Sequence, residues 1–394
     1  MMNDVARSLL TKLLAQADRG GRETLSITER YAKEYFALTS LSDRDRVHAM
    51  FANAEAAGGV ALEWGKGAAA QDLNRIRLVD ADKLADWLGM PRARAYADRI
   101  AVKLDPQLKD APKWLRDAYA DALGLWRLGK IAFKIRADET ESAVSLFRVA
   151  RAVSLNEQED LDLRRFSVRL LNDSKVIERL LTKLAPLLRC NPEWEPFNEN
   201  AELFRLLGLE KFPPPIYLKG PLVINYSDVV WDASALRPYV GLSPDGVSEI
   251  KFSRRPTYLL TIENVSSFQR HVREVDDDGI VIYSAGFLSP ALMQILVLLD
   301  MQLDKSCPCY HWGDRDVGGL RIFAHIESGY KRHKVVPHLM SMPSDKKVCF
   351  TKKERTTLEK LACEETEAGL LARVWFQKNL GPMEQEALDP LAPL

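Results

Sequence analysis

The sequence lacks the features that direct a chain into or across a membrane. No apolar run approaches the roughly 20 residues that a membrane-spanning helix needs. The N-terminus has neither the apolar core nor the cleavage site of a signal peptide. Cysteine is also scarce, with five among 394 residues, and so few do not predict a disulfide framework. These absences predict a protein that works in the reducing cytoplasm without contacting a membrane.

The sequence also lacks an excess of charge of either sign. Its 55 Lys and Arg residues balance 55 Asp and Glu residues, so the formal net charge is zero. The whole protein therefore has no basic field of the kind that attracts nucleic acid. Any binding to DNA must use local basic patches or depend on a positively charged partner. With 46% hydrophobic residues, the chain is long enough to bury two or three cores.

Residues 1–90 show the pattern of a winged-helix domain. Apolar residues recur at helical spacing in three segments, and we place the second helix between Ile27 and Leu38. Two strands follow, at Val60 to Trp64 and at Arg75 to Val79. Winged-helix domains bind DNA through a helix and a wing, but they also serve as dimerisation or docking units. The pattern does not choose between these roles.

Residues 91–212 are dominated by helical patterns, with candidate helices at about 91–104, 112–128, 138–153 and 174–189 and a short strand from Lys130 to Arg136. Arg165 and Arg169 are four residues apart and share one helical face. Lys175 falls at the start of the next helix, where a cation is unfavourable unless an anion lies close. We interpret these three residues as DNA-binding. The alternative is an ordinary solvated face.

The last domain, residues 213–394, predicts a parallel sheet covered by helices. Apolar strands at about 258–262, 280–284 and 310–312 are each followed by a helical pattern. Asp314 and Asp316 follow the third strand two residues apart, so both side chains point to the same side. Gly318 and Gly319 leave space for close backbone approach. The same Asp-Arg-Asp triplet at residues 43–45 follows no strand, so the position matters more than the triplet.

Three carboxylates collect at the ends of these strands. In an open parallel sheet the ligand site lies beyond the carboxyl ends of the strands, where Glu263, Asp314 and Asp316 all fall. Because like charges repel, this arrangement favours a divalent cation, and hard oxygen ligands suit Mg²⁺ or Mn²⁺. Taken by itself, Glu263 would be interpreted as a helix N-cap. Arg254 and Arg255 are the nearby basic pair that we assign to DNA contact, with a solvated loop as the alternative.

A zinc site is the less favoured alternative near these acids. Cys307 and Cys309 lie close to His311, but no second pair of ligands with matching spacing occurs in the sequence. We therefore expect the two cysteines to be buried thiols beside a strand.

The order of these motifs resembles a known domain. The motifs are Ile262-Glu263-Asn264, then Ser284-Ala285-Gly286, then Gly313 to Gly319. They resemble the Toprim domain of type II topoisomerases, primases and related nucleases. Together with His311-Trp312-Gly313-Asp314 and the segment from Arg165 to Lys175, they resemble more closely the JetD (MksG) family. That family supplies the nuclease subunit of the Wadjet plasmid-defence system, a condensin-like complex.

The resemblance implies a fold class and a function. The fold would be a multidomain α+β protein with an N-terminal winged helix, a helical and CAP-like winged-helix middle, and a C-terminal α/β Toprim domain with a parallel sheet. It implies a homodimer that cleaves double-stranded circular DNA presented by an SMC–kleisin-type complex, with catalytic metal ligands at Glu263, Asp314 and Asp316. Two alternatives remain: topoisomerase-like cleavage through a covalent tyrosine, for which Tyr31 and Tyr35 are candidates, and a non-catalytic adaptor of an SMC complex.

Overall fold

The computed structural model describes residues 3–66, 72–158, 161–194, 197, 199–210, 214–340, 350–378 and 383–393. The chain forms two compact units, Met1–Glu157 with Lys175–Glu193 and Gln158–Ser174 with Trp194–Leu394. Both contain helices and strands, which confirms a mixed α and β fold. The proposed division at residues 90 and 212 stays a prediction. Within the described ranges, no helix is long and apolar enough to cross a membrane.

The first unit begins with a small antiparallel sheet packed against helices. Its elements in chain order are α1 (Asn3–Asp18), β1 (Thr24–Ser26), α2 (Lys33–Phe36), α3 (Leu41–Ala56), β2 (Val60–Trp64), β3 (Leu73–Leu78) and α4 (Ala81–Leu88). The strand order is β1-β3-β2. Leu9, Phe51 and Ile76, from two helices and the central strand, are fully buried in one core. This core holds the sheet and the helices together as one body.

The predicted helix from Ile27 to Leu38 is wrong. Residues 24–26 form β1, which pairs with β3, and only Lys33–Phe36 are helical. The physical reason is that Leu25 and Ile27, two residues apart, are both buried in the core, so strand periodicity prevails over helical periodicity here. Tyr31 consequently lies in a turn and is 50% exposed, whereas Tyr35 is 5% exposed.

The four helices predicted for the middle region are present, and a fifth, α8, carries Arg165 and Arg169. They are α5 (Ala93–Leu108), α6 (Lys113–Arg127), α7 (Thr140–Ser154), α8 (Leu163–Leu171) and α9 (Val176–Leu188), of which α8 belongs to the second unit and the others to the first. The predicted strand from Lys130 to Arg136 is wrong. This segment forms a tight turn in which Phe133 and Lys134 have positive φ angles. Buried Trp126 fixes the turn by donating its Nε1–H to the carbonyl of Ile135 at 3.0 Å.

The second unit contains the larger sheet. Its further elements are α10 (Asn200–Leu206), β4 (Ile216–Lys219), β5 (Leu222–Tyr226), β6 (Val229–Asp232), β7 (Val240–Leu242), β8 (Val247–Phe252), β9 (Leu259–Ile262), α11 (Val265–Glu274), β10 (Ile280–Tyr283), α12 (Pro290–Gln302), β11 (Cys309–Trp312), α13 (Val317–Gly329), β12 (Val335–Pro337), α14 (Lys352–Ala362) and α15 (Glu367–Lys378). The described part of this unit also contains short 3-10 helices at Ala233–Ala235, Pro244–Gly246 and Gln385–Ala387.

The six-stranded sheet is mixed, which corrects the prediction of a purely parallel sheet. Its order is β12-β11-β9-β10-β4-β7. The first four strands are parallel, and three of them, β9, β10 and β11, are the predicted ones, whereas β4 and β7 are antiparallel additions at the other edge. The apolar runs of β4 and β7 carry no information on direction, so their sequence could not predict this. A separate antiparallel sheet has the order β6-β5-β8.

The central parallel strands position the acidic residues. All four residues of β9 are buried, as expected for a strand that is covered on both faces. In register, Thr261 lies opposite His311 and Ile262 lies opposite Trp312. The amide of Glu263 then donates to the carbonyl of Trp312 at 2.9 Å. The segments that follow β9 and β11 therefore leave the sheet side by side, and Glu263 lies next to the residues that follow β11.

Candidate metal centre

The end of β9 separates the roles of two neighbouring polar residues. The side chain of Asn264 caps helix α11, because its Oδ1 accepts from the amide of Ser266 at 2.7 Å and from that of Ser267 at 3.5 Å. Glu263 is therefore not the N-cap, which was the alternative role for this residue. Its Oε2 instead accepts from the amide of Asp314 at 3.2 Å. This contact joins the acidic residue after β9 to the first acidic residue after β11.

The two aspartates after β11 are held differently. Asp316 is the N-cap of α13, and its Oδ1 accepts from the amide of Gly319 at 2.7 Å. Asp314 accepts through Oδ1 from the amide of Gln385 at 2.7 Å. A Cβ atom on Gly319 would lie 2.2 Å from the carbonyl oxygen of Asp314, which confirms that this glycine permits close backbone approach. Both aspartates thus have fixed orientations at the start of α13.

A buried histidine lies behind Glu263. His311 is fully buried, and its Nδ1 lies 2.9 Å from the hydroxyl of Thr261. Its ring stacks on that of Phe323 with an interplanar angle of 7°. Its Nε2 has no hydrogen-bond partner among the described residues. A Cβ atom at Gly313 would lie 2.6 Å from Glu263 Oε2 and 2.7 Å from His311 Nε2. The histidine nitrogen and the carboxylate therefore approach the same point beside Gly313.

Two further acids come from the C-terminal segment. Glu384 and Glu386 each place a carboxylate oxygen near Asp314, and the oxygens of these three residues all lie within 4.8 Å of one another. Such a group is able to hold a metal ion. Sequence reasoning missed both glutamates. Their i, i+2 spacing repeats that of Asp314 and Asp316, but they follow no predicted strand, so nothing local connected them to the sheet.

Burial and, to a smaller extent, neighbouring like charges raise the pKa values of two of these carboxyl groups. Burial, together with the charge of Asp314, raises the pKa of Glu263 to about 8. Burial, with the charges of Glu384, Asp316 and Glu386, raises the pKa of Asp314 to about 6, although the Gln385 amide opposes this. Glu263 therefore tends to keep its proton at neutral pH, and a cation that displaced this proton would also relieve the repulsion between the carboxylates. The assignment of Glu263, Asp314 and Asp316 as metal ligands stays a prediction.

The zinc alternative finds no support in the side-chain environment. Cys307 and Cys309 are both buried, as expected for structural thiols. Burial raises the pKa of the Cys309 thiol strongly. His311 is turned towards Thr261 and Gly313.

The predicted DNA-binding residues fall into two classes. Arg165 and Arg169 are exposed on α8, and no ion pair is found for either among the described residues. Arg254 and Arg255 form surface ion pairs, with Asp278 at 2.8 Å and with Asp304 at 3.6 Å respectively. Exposed pairs of this kind contribute little to stability, so a phosphate could compete for either arginine.

Lys175 lies outside the second unit. It is exposed and occupies the N-cap position of α9 in the first unit. This position agrees with the prediction that Lys175 lies at the start of a helix. The DNA-binding role of Arg165, Arg169, Lys175, Arg254 and Arg255 stays a prediction.

Comparison with known proteins identifies relatives of both halves of the chain. The family model described as "Wadjet protein JetD, C-terminal" matches residues 245–392. A model described as "Uncharacterized protein conserved in bacteria N-term" matches residues 39–189. A curated Wadjet protein JetD from Bacillus cereus (strain Q1) is 22% identical over 237 residues. That match covers 59% of this chain and 57% of the relative.

Proposed function

The chain belongs to the JetD family, and from this membership and the acidic site we propose that it is a metal-dependent DNA endonuclease. In this proposal it cleaves closed circular double-stranded DNA as the nuclease subunit of a bacterial SMC-type complex. The observation that carries the proposal is the meeting of Glu263 and Asp314 at the carboxyl ends of two adjacent parallel strands, with the pKa of both groups raised.

The donor set suits Mg²⁺ or Mn²⁺. The acidic side chains gathered at the site offer carboxylate oxygens, which these ions prefer. Glu263, Asp314 and Asp316 would hold the ion, and Glu384 and Glu386 bring further carboxylates to Asp314. A bound ion would polarise the phosphodiester and lower the pKa of an attacking water. The protein's own part is to hold these carboxylates in fixed positions before the ion arrives.

The fold supports a Toprim assignment for residues 213–394 and a winged-helix assignment for residues 1–90. The first 90 residues contain, in order, one helix, one strand, two helices, two strands and one further helix, and the order up to the last strand supports the winged-helix assignment. The acids lie where ligands bind in parallel α/β sheets. We extend the proposal to residues 91–212 as the helical and CAP-like DNA-binding region, and to a homodimeric assembly.

In the proposed complex, local basic residues contact the DNA. The exposed arginines of α8, Arg165 and Arg169, supply charge that no acidic partner within the described residues neutralises. Lys175, Arg254 and Arg255 complete the proposed set. Since the net charge is zero, we expect weak unaided binding, and partner subunits of the SMC–kleisin type would present the DNA.

Cleavage of supercoiled plasmid by site variants tests this function. We expect the unaltered protein to nick or cut plasmid with Mn²⁺ or Mg²⁺, and Glu263→Ala and Asp314→Ala to lose this activity, because each removes a metal ligand. Asp45→Ala is the matched control, since Asp45 belongs to the other Asp-Arg-Asp triplet, on helix α3. Full activity in both site variants would refute the assignment of the site.

The same assay distinguishes hydrolysis from covalent chemistry. Tyr35 is buried and its hydroxyl lies 2.6 Å from His48 Nε2, whereas Tyr31 is exposed in a turn. Hydrolysis leaves no protein on the DNA after denaturation. A trapped protein–DNA adduct that disappears in Tyr31→Phe or Tyr35→Phe would establish the covalent alternative instead. A protein that binds its partners and DNA but never cleaves would be the adaptor.

A further inference from the structure

The C-terminal segment Met383–Leu388 is fastened to the chain immediately after β11. The amide of Arg315 donates to the carbonyl of Met383 at 2.9 Å, and the amide of Met383 donates back to Arg315 at 3.1 Å. This pair of hydrogen bonds is an antiparallel bridge between residues 315 and 383. It fixes the segment beside the proposed metal ligands, although almost 70 residues separate the two in sequence.

Gln385 makes three hydrogen bonds at the heart of this contact. It is 1% exposed. Its side-chain Oε1 accepts from the amide of Asn264 at 2.8 Å, and its Nε2 donates to the carbonyl of Trp312 at 3.0 Å. Its backbone amide donates to Asp314 Oδ1 at 2.7 Å. One buried residue therefore touches the ends of both strands and one of the carboxylates.

These bonds act on the geometry of the acidic pair. Asn264 directly follows Glu263, and Trp312 is two residues before Asp314. The side-chain carboxamide of Gln385 thus links the segment after β9 to the end of β11 by hydrogen bonds, just where both leave the sheet. A carboxamide is suited to this position because it offers both an acceptor and a donor, whereas a carboxylate offers acceptors only. Without it, the amide of Asn264 would lose its partner, and the carbonyl of Trp312 would keep only the hydrogen bond from the Glu263 amide.

We propose that Gln385 is a positioning residue for the cation site, and that it sets the spacing and orientation of Glu263 and Asp314 without itself binding the ion. This inference rests on the proposed function, because it concerns the same carboxylates. Removing a group that orients a metal ligand typically lowers metal affinity or activity by about 10- to 100-fold. We expect an effect of that size here.

Direct binding of Mn²⁺ to the full chain tests the proposal. Free Mn²⁺ is measured by electron paramagnetic resonance during titration of the unaltered protein, Gln385→Ala and Gln385→Met. The methionine variant keeps much of the side-chain length, so it tests the hydrogen bonds if the alanine variant does not fold. Circular dichroism at the titration temperature confirms that each protein is folded. We expect at least about a 10-fold weaker affinity in the folded variants.

A matched control separates positioning from general loosening of the segment. Asp389 pairs with Arg270 at 2.8 Å near the end of the same segment, and its side chain is 89% exposed. Asp389→Ala removes an anchor without touching the carboxylates, so we expect an affinity within about twofold of the unaltered protein, the small effect typical of an exposed pair.

The outcomes distinguish this inference from the proposed function. If the unaltered chain binds Mn²⁺ and folded Gln385→Met binds it equally well, the positioning role is refuted while the metal site stands. If Asp389→Ala weakens binding as much as the Gln385 variants do, the effect comes from the segment as a whole and the specific role is refuted. If the unaltered chain binds no Mn²⁺, the metal site fails and the inference fails with it.

Discussion

Replacing Gly313 with alanine places a methyl group between Glu263 and His311. The new Cβ would lie 2.6 Å from Glu263 Oε2 and 2.7 Å from His311 Nε2, about 1 Å closer than the ordinary contact distance of roughly 3.5 Å or more. His311 cannot easily withdraw, because Thr261 and Phe323 hold its ring. Glu263 must therefore swing away, and it loses its hydrogen bond from the amide of Asp314.

The size of this effect follows from the packing. Overpacking of a filled site typically lowers the free energy of unfolding by about 1–3 kcal/mol. In a unit of about 200 residues, each kcal/mol lowers the melting temperature by roughly 2–4 °C. The larger effect is on function, because the displaced carboxylate is a proposed metal ligand. We expect Gly313→Ala to lose Mn²⁺-dependent plasmid cleavage almost completely.

Gly124→Ala is the matched control for this substitution. Gly124 lies in α6. Apart from the backbone of its own helix and its chain neighbours, a Cβ atom there would have no heavy atom within 4 Å. Alanine is favoured over glycine inside a helix by about 0.5–1 kcal/mol, so this variant should gain stability and keep its activity. Thermal unfolding in EDTA and cleavage assays compare the two variants. Wild-type stability and cleavage in Gly313→Ala would refute the described geometry around Glu263.

Two further predictions concern protons and DNA. The pKa of Glu263 is about 8 and that of Asp314 about 6 in the folded state, above the roughly 4 of unfolded chains. The folded state thus binds these protons more tightly, so the melting temperature in EDTA should fall as pH rises from about 4 to about 8. Mn²⁺ should oppose this fall. Glu263→Gln should show a smaller fall, which comes from Asp314, and a fall as large as that of the unaltered protein would refute Glu263 as a source. The double substitution Arg165→Ala with Arg169→Ala should weaken DNA binding and reduce the slope of log affinity against log salt concentration by up to about 2, since each phosphate contact contributes about 0.9. Fluorescence-anisotropy titrations at several salt concentrations measure this slope. An unchanged slope would exclude these arginines from the interface.

The central strands and their acids were predictable from sequence because the signal is local. The run Leu259–Ile262 is mostly apolar, and Glu263 follows it directly. The strand Cys309–Trp312 precedes Asp314, with Gly313 between them. Parallel strands of one sheet end at the same edge, so the meeting of Glu263 and Asp314 follows from the pattern alone. The hydrogen bond between Glu263 and the Asp314 amide confirms that they meet.

The rest of the site depends on tertiary contacts that leave no local pattern. Glu384 and Glu386 reach Asp314 only because the backbone of Met383 pairs with that of Arg315. No periodicity in residues 383–388 indicates this pairing. The strand β1 was missed for a related reason: three residues are too few to establish an alternation, and their pairing with β3 decides the conformation.

Conversion of supercoiled plasmid to open-circular or linear DNA tests the central claim most directly. The assay compares the full chain, together with its SMC-type partner subunits, in Mn²⁺ and in EDTA. We predict cleavage in Mn²⁺ that is abolished by EDTA and by Glu263→Ala. Cleavage that persists in EDTA, or its absence in Mn²⁺ with all partners present, would contradict a metal-dependent nuclease site at Glu263 and Asp314.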